Sequence, residues 1–384
     1  MRRILVLCVA VCPSLGPAQA PKRVTLPPHD ARFEQPFGSV LGPVRELSDG
    51  RIIVADRVDL GLVVADFRTQ TTRPISRKGA GPGEYGMVTR LWPIGGDSSL
   101  MADLLQRRWL VLHGDRVVTT VPPDNPTVKA MQGMFLGADG AGHLLIEARK
   151  EAPVGESVTG AGDSSYLVRY HRSSTRVDTL ARLMLRPSAT IRETNAKGED
   201  TFVGMRALRL RVGEQYIVHP DGWIAIVRIN PFRVDWRSPE GRWTLGAPLP
   251  VPVIRMSQRE KAASLARTAA SQAANRSSGP QPPMPPQMKM PDDDWPDVMP
   301  PYLQNEMTFS PDGDVIIRRQ PSADYPGVAY YVVDRRGRLL GVIDMKNNER
   351  IVSAGARSLY VVESDSDDLQ YIRRHPWPNI RLPG

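Results

Sequence analysis

Short apolar runs separated by turns recur along the chain. Residues 46–67 and 77–112 each hold a Gly- and Asp-containing turn and an apolar run that ends in Ala-Asp, at Asp56 and Asp103. A short loop and a second apolar run follow in both segments. Degenerate repetition of such a strand–turn–strand unit is typical of β-propellers.

Six segments share this outline. They span residues 37–75, 84–121, 134–185, 214–249, 303–345 and 350–377. Many of the runs are continuously apolar, as expected for strands that neighbouring sheets cover on both faces. Asp-Gly pairs supply the positive φ of tight hairpin turns, at Asp49-Gly50, Asp139-Gly140, Asp221-Gly222 and Asp312-Gly313. We therefore predict an all-β fold, a six-bladed β-propeller.

An insertion of different character, residues 255–301, separates the fourth and fifth segments. Ser257 and Glu260 form a capping box that predicts an Ala-rich helix to about Asn275. A Pro- and Met-rich tract, 277–301, follows, and its prolines favour extended conformations over a blade strand. We expect this helical and Pro-rich insertion to pack weakly over one face, and the alternative is a partner-binding arm.

The first twenty residues, 1–20, are typical of a signal peptide. Arg2 and Arg3 precede an apolar stretch, and Ala18-Gln19-Ala20 resembles a cleavage site, so cleavage after Ala18 or after Ala20 is expected. No apolar run approaches the roughly 20 residues of a transmembrane helix. We predict an exported, periplasmic or extracellular protein whose remaining residues, 21–384, form a single domain. Residues 23–35 are expected to donate the outer strand that closes the sixth blade.

Composition narrows the possible chemistry. Both cysteines, Cys8 and Cys12, lie in the predicted signal peptide, which excludes disulfides, thiolate zinc sites and cysteine nucleophiles from the mature chain. The formal net charge is +9, but the basic residues form no block and no stripe with interleaved aromatics. No nucleic-acid partner is therefore expected.

The hinge and strands of the second segment carry a family resemblance. The sequence RKGAGPGEY, residues 77–85, followed by SLMAD and RRWLVL, resembles an NHL-type propeller repeat. Beyond residue 36, nearly the whole chain resembles the exported TolB-like six-bladed β-propellers of bacteria. The resemblance implies the fold and export, and it implies no reaction, because fold alone does not determine function.

Motifs for catalysis and metal binding are missing. The chain has no G-x-S-x-G, Walker A or H-E-x-x-H sequence, and its six histidines do not fall at metal-ligand spacing. Asp365 to Asp368 resembles the start of a calcium loop but lacks the glycine of its sharp turn. We predict no cofactor, with calcium as the alternative.

One set of charged residues recurs at the same place in every segment. The second strand of each ends in an ionisable residue, and these six are Asp56, Asp103, Glu147, Arg228, Arg318 and Glu363. With Glu84 of the hinge they are expected to ring one face, four acids opposite two arginines. Such a ring suits a zwitterionic or charged ligand, or an Arg-rich peptide. The alternative is that each acid accepts hydrogen bonds from its own loop.

These features predict a function of binding. The first hypothesis is an exported, non-catalytic module that holds a peptide, glycan or envelope partner on the ring face. The alternative is a metal-dependent hydrolase or lyase of the lactonase-like propeller type, which would need carboxylates converging on the channel. Adjacent ring members should lie on the order of 10 Å apart, because they stand outside the channel axis, and cannot share one ion.

Overall fold

The computed structural model describes residues 21–121, 135–148, 163–174, 176–198, 200–275, 291, 294–378 and 380–381. Two short strands come first, β1 (Arg23–Thr25) and β2 (Ala31–Arg32). Blade I holds β3 (Val40–Glu46), β4 (Ile52–Asp56), β5 (Gly61–Asp66) and β6 (Thr71–Pro74). Blade II holds β7 (Leu91–Pro93), β8 (Ser98–Asp103), β9 (Arg108–His113) and β10 (Arg116–Val121). Blade III holds β11 (Phe135–Ala138), β12 (Leu144–Ala148), β13 (Ser164–Tyr170) and β14 (Val177–Met184).

A separate hairpin of β15 (Ser188–Thr194) and β16 (Asp200–Ala207) follows blade III. Blade IV holds β17 (Gln215–Val218), β18 (Ile224–Ile229), β19 (Phe232–Arg237) and β20 (Trp243–Thr244), and helix α1 (Gln258–Asn275) comes after it. Blade V holds β21 (Tyr302–Phe309), β22 (Val315–Arg319), β23 (Ala329–Val333) and β24 (Leu339–Asp344). Blade VI holds β25 (Glu349–Ala354), β26 (Ser358–Ser364) and β27 (Gln370–Pro376). The predicted six-bladed β-propeller is confirmed.

The blades are antiparallel sheets whose first strands surround the channel. Strands β3, β7, β11, β17, β21 and β25 each contact the first strands of the two neighbouring blades. Successive side chains of a strand point to opposite faces, so each blade packs against both neighbours. In β4, Ile52 and Val54 pack toward blade VI, whereas Ile53 and Ala55 pack toward blade II. Among the described residues one apolar cluster fills each of the six interfaces between blades.

The N-terminal segment closes the propeller. Strand β2 pairs antiparallel with β27, Ala31 opposite Arg374 and Arg32 opposite Arg373. The prediction that residues 23–35 complete the sixth blade is confirmed. Strand β1 belongs to the same segment but does not join blade VI, because it adds a fifth, parallel strand to blade V beside β24. One segment therefore ties two blades together.

The Asp-Gly turns are mostly as predicted. Gly50, Gly222 and Gly313 have φ values of 84°, 89° and 78°. In the third blade the prediction was wrong, because the positive φ of 77° belongs to Gly142. There the Asp139 carboxylate accepts a hydrogen bond from the His143 backbone N–H at 2.9 Å, in a longer turn.

Helix α1 is firmly attached to the propeller, in contrast to the weak packing expected for the insertion. Glu260 is 5% exposed, and its Oε2 accepts a hydrogen bond from the backbone N–H of Ala323 at 2.8 Å. The Ser257 Oγ caps the helix by accepting from the Glu260 N–H at 3.3 Å. Ser257 therefore caps the helix as predicted, whereas the Glu260 carboxylate anchors the helix to blade V. Residues 276–290, most of the Pro-rich tract, and the predicted signal peptide lie outside the described residues.

In the part of the chain that the structure describes, no helix has the length and apolar character needed to cross a membrane.

A buried carboxylate near the C-terminal residues makes stability depend on pH. Arg381 Nη2 donates to both carboxylate oxygens of Asp314, at 2.9 and 2.8 Å. Burial outweighs this pairing and raises the pKa of Asp314 to about 6. A raised folded-state pKa means that the native protein holds the proton more tightly, so ionisation of Asp314 destabilises it as the pH rises from about 4 to 6.

We expect Asp314→Asn to remove this penalty. The stability of the variant relative to wild type should increase by about 2 kcal/mol between pH 4.5 and pH 7. Urea denaturation at the two pH values measures the change, and Asp59→Asn, an exposed carboxylate, is the control. A difference that does not vary with pH would contradict the pKa assignment.

Candidate binding site at the channel mouth

The ends of the second strands lie on one face of the propeller. Because each blade is antiparallel, the second strand ends beside the start of the first. Register shows this directly, since Asp56 lies opposite Val40 in blade I and Glu363 opposite Glu349 in blade VI. We call this surface the mouth face, because the channel opens there between the starts of the first strands.

Two of the predicted ring acids are buried among loop amides. Asp56 is 0% exposed, and its carboxylate accepts from the backbone N–H groups of Gly38 at 3.0 Å, Ser39 at 2.9 Å and Val58 at 3.1 Å. Longer bonds come from the next two residues of the loop. A carboxylate enclosed in this way holds the loop between β4 and β5 against the chain that enters blade I.

Asp103 occupies the equivalent position in blade II. It is 1% exposed and accepts from the backbone N–H of Gly86 at 2.9 Å and from that of Gln106 at 3.3 Å. The Arg108 guanidinium lies 3.4 Å away. With these contacts, neither Asp56 nor Asp103 has exposed carboxylate surface at the mouth face.

The remaining acids of the predicted ring also have partners. Glu147 accepts a hydrogen bond from the Ser165 hydroxyl at 2.7 Å, and Glu363 forms an ion pair with Arg373. Glu84 of the hinge bonds Arg77 Nε at 2.6 Å and the Gly81 N–H at 2.8 Å, and these bonds lower the pKa of its carboxyl. Each acid of the predicted ring therefore already accepts a hydrogen bond or forms an ion pair within the protein.

The two ring arginines differ in how well they are neutralised. Arg228 bonds Glu214 at 2.7 Å, Asp235 at 3.0 Å and the Arg182 carbonyl oxygen at 3.0 Å. Arg318 has a weaker partner, the Glu306 carboxylate, 3.5 Å from its Nη1. Its Nε is buried and, among the described residues, has no hydrogen-bond partner. Arg318 is therefore the ring member with unused hydrogen-bonding capacity.

Two further arginines share the surroundings of Glu306. Arg350, at the start of β25, donates to the Val40 carbonyl oxygen at 2.6 Å, and it interacts electrostatically with Glu306 and Arg318. Arg90, just before β7, donates to the Asn305 carbonyl oxygen at 3.4 Å. Arg90 belongs to blade II and Asn305 to blade V, which lie opposite each other in a ring of six, so this contact crosses the channel.

A bulge in β21 makes the crossing possible. Tyr302 pairs with Arg319, but the next pair is Met307 with Ile317, so residues 303–306 leave the regular ladder. Asn305 has a left-handed φ of 62°. Such a bulge bends a strand and changes the direction of its side chains. Here it carries Asn305 and Glu306 into the channel mouth, toward Arg90.

The bulge is held from blade IV. The Gln304 Oε1 accepts from the Gly213 backbone N–H at 2.8 Å, and the Tyr302 hydroxyl donates to the Gly213 carbonyl oxygen at 2.7 Å. The Asn305 N–H donates to Gln215. Because three neighbouring residues of the bulge and its flank are fixed by blade IV, Glu306 has a defined position.

We call Arg90, Arg318, Arg350 and Glu306 the mouth cluster. Three guanidinium groups and one carboxylate leave a formal charge of 3 − 1 = +2. Desolvation lowers the pKa of Arg90 and of Arg350, and Glu306 opposes this effect for both. Arg90 is nevertheless exposed. The protein around the mouth cluster therefore partly removes water from its guanidinium groups, and a solute can still reach Arg90.

Alignment of second strands found Arg318 but missed the other three members. Arg90 and Arg350 stand at the starts of first strands, where a second alignment of the segments would have shown them. Glu306 lies in a bulge, and its position depends on a break in register that no sequence pattern indicated.

Metal ligands do not gather in the described part of the chain, where no three His, Cys, Asp or Glu side chains form a group that could hold an ion. At the suspected calcium loop, the Asp365 Oδ1 accepts from the backbone N–H groups of Asp367 at 2.9 Å and Leu369 at 3.0 Å, which staples a turn. The absence of a cofactor, with calcium as the alternative, stays a prediction.

The fold and its mouth define the class, a six-bladed β-propeller with a charged channel opening. No family model matches the chain, and no curated protein matches it significantly in sequence. It is similar to a protein from Bacteroides fragilis described as exported, with a TM-score of 0.47 and 9% identity over 93% of this chain and 99% of that one.

Two further solved structures are similar to this chain. Regucalcin, a calcium-binding protein from Agrobacterium tumefaciens, has a TM-score of 0.43 and 12% identity, covering 94% of this chain and 100% of its own. Virginiamycin B lyase from Staphylococcus aureus has a TM-score of 0.42 and 7% identity, covering 91% and 98%. Likeness at this level transfers neither ligand nor activity.

Proposed function

We propose that this protein is an exported, non-catalytic binding module that holds a peptide, glycan or envelope partner on its mouth face. The observation that supports the proposal is the mouth cluster, where three arginines share one carboxylate at an accessible opening. Holding like charges together without full compensation, with Arg318 and Arg350 half-buried, costs stability. Such an arrangement is more easily understood if a ligand completes it.

The predicted ring remains part of this proposal in a modified role. Arg318 is the ring member that belongs to the mouth cluster, whereas Asp56 and Asp103 hold the loops of blades I and II on the same face. A cationic group bound by the acidic arc of Asp56, Asp103, Glu147 and Glu363 is the alternative to a ligand at the mouth cluster, and an Asp56→Asn and Asp103→Asn double variant distinguishes the two.

The hydrolase or lyase alternative would need carboxylates converging on the channel. In the described part of the chain, the mouth presents arginines around Glu306, so no observation favours that alternative. Export rests on the predicted signal peptide at residues 1–20, and it stays a proposal.

A blocking experiment tests which face binds. Both cysteines lie in the predicted signal peptide, so a cysteine introduced in the mature chain can be labelled selectively. Leu105 lies in an exposed loop of the mouth face, and Ala356 lies in an exposed turn of the opposite face. The two variants are Leu105→Cys and Ala356→Cys. Each variant is coupled to a long polyethylene glycol maleimide and applied to peptide and glycan arrays.

We expect the polymer at residue 105 to abolish array binding and the polymer at residue 356 to leave it unchanged. Unlabelled variants control for the substitutions themselves. Array binding that survives the polymer at residue 105, or is lost only with the polymer at residue 356, would show that the proposed face is wrong.

A further inference from the structure

The charge of the mouth cluster indicates which ligand group it takes. Resting on the proposed function, we propose that the channel mouth binds an oxyanion group, a carboxylate or a phosphate, between Arg90, Arg318 and Arg350, and that Glu306 competes with it as a built-in anion. The shared chemistry is a small group with several negatively charged oxygens, which guanidinium groups bind with charge-assisted hydrogen bonds.

Three observations support an anion over a cation. The acids of the ring are occupied, two by backbone amides and others by Ser165 or Arg373. The arginines are not equally satisfied, because Glu306 is the shared carboxylate of the mouth cluster and lies no closer than 3.5 Å to Arg318. Within the part of the chain that the structure describes, the buried Nε of Arg318 has no hydrogen-bond partner.

The placement of the arginines also suits a bound group. They come from three blades, II, V and VI, and Arg90 already reaches the opposite wall at Asn305. Arg350 is held by the Val40 carbonyl oxygen and by the Gln370 side-chain oxygen, which both accept hydrogen bonds from its guanidinium. An oxyanion that enters the mouth would therefore meet guanidinium groups from different sides, with Glu306 as the group it must displace.

Isothermal titration calorimetry of the full chain at low salt tests the inference with inorganic phosphate and with succinate as probes. The two probes distinguish a phosphate-bearing from a carboxylate-bearing partner. We expect Arg90→Gln and Arg318→Gln to weaken binding of the preferred probe about 10- to 100-fold, the usual range for a charge-assisted hydrogen bond. Binding by the wild type should also weaken with added salt.

Glu306→Gln gives the decisive result, because it removes the competing charge and keeps the shape of the side chain. We expect about tenfold tighter binding of the same probe. Arg57→Gln, which removes an exposed positive charge from the same face outside the mouth cluster, should leave affinity unchanged. Arg90 is exposed, so Arg90→Gln is informative even if Arg318→Gln does not fold.

Two results would overturn the inference. One is binding of neither probe to the wild-type protein at millimolar concentration. The other is Glu306→Gln weakening the binding, which would mean that Glu306 contacts the ligand as an acceptor. If the probes fail while the polymer at Leu105→Cys still blocks array binding, the ligand class is wrong and the proposed face is right. If that polymer does not block, the proposed face is wrong.

Discussion

Deletion of residues 21–35 is expected to lower the free energy of unfolding by more than about 5 kcal/mol, because it removes two strands and a fully buried aromatic residue. Strand β2 covers the outer edge of blade VI, and β1 covers that of blade V. Phe33 is 0% exposed and packs on Phe37 and Phe67, with ring centroids 5.6 and 6.0 Å apart. Denaturation in urea, followed by tryptophan fluorescence, measures the loss.

Point variants separate the contribution of the closing strands to stability from that of the aromatic residue. Phe33→Ala alone should cost about 3–5 kcal/mol, the usual range for a buried phenylalanine. Val58→Ala, an exposed apolar residue, should cost almost nothing. A deletion variant that unfolds at the wild-type urea concentration would show that the closing strands do not stabilise the propeller.

Replacement of Asp56 by alanine should cost about 4 kcal/mol, because several buried amides would lose their charged acceptor together. The expected loss follows from the enclosure of its carboxylate by N–H groups of the chain that enters blade I and of the loop between β4 and β5. Asp103→Ala should behave similarly with a smaller loss, since fewer amides face it. Urea denaturation measures both.

The same positions test the predicted acidic arc. Asp59→Ala is the matched control, since Asp59 lies in the same loop as Asp56 with an exposed side chain, and its stability should stay near that of wild type. An Asp56→Asn and Asp103→Asn double variant should lose stability and retain ligand binding. If it instead keeps its melting temperature and loses binding of a cationic peptide, the acidic arc is the binding surface.

The recurrence of an ionisable residue at each second-strand end correctly placed these residues on one face of the propeller. It did not show which of them have partners within the protein. The second strands of all blades end on the same face, because every blade repeats the same up-and-down order of antiparallel strands. Whether a carboxylate faces solvent or its own loop depends on how the loop folds back. Asp56 and Arg318 hold equivalent places in their segments, yet one is enclosed by amides and the other lies beside the channel.

Local sequence determined the strands, most of the Asp-Gly turns, the capped helix and the number of blades, because these depend on neighbouring residues and on the alternation of side chains along a strand. The tertiary structure decided what depends on distant contacts. It attached β1 to blade V and Glu260 to the Ala323 amide, and it formed the hairpin of β15 and β16. It also placed Arg90 opposite Asn305, 215 residues away along the chain. The charge at the channel mouth arises from that convergence of three blades, which no single segment encodes.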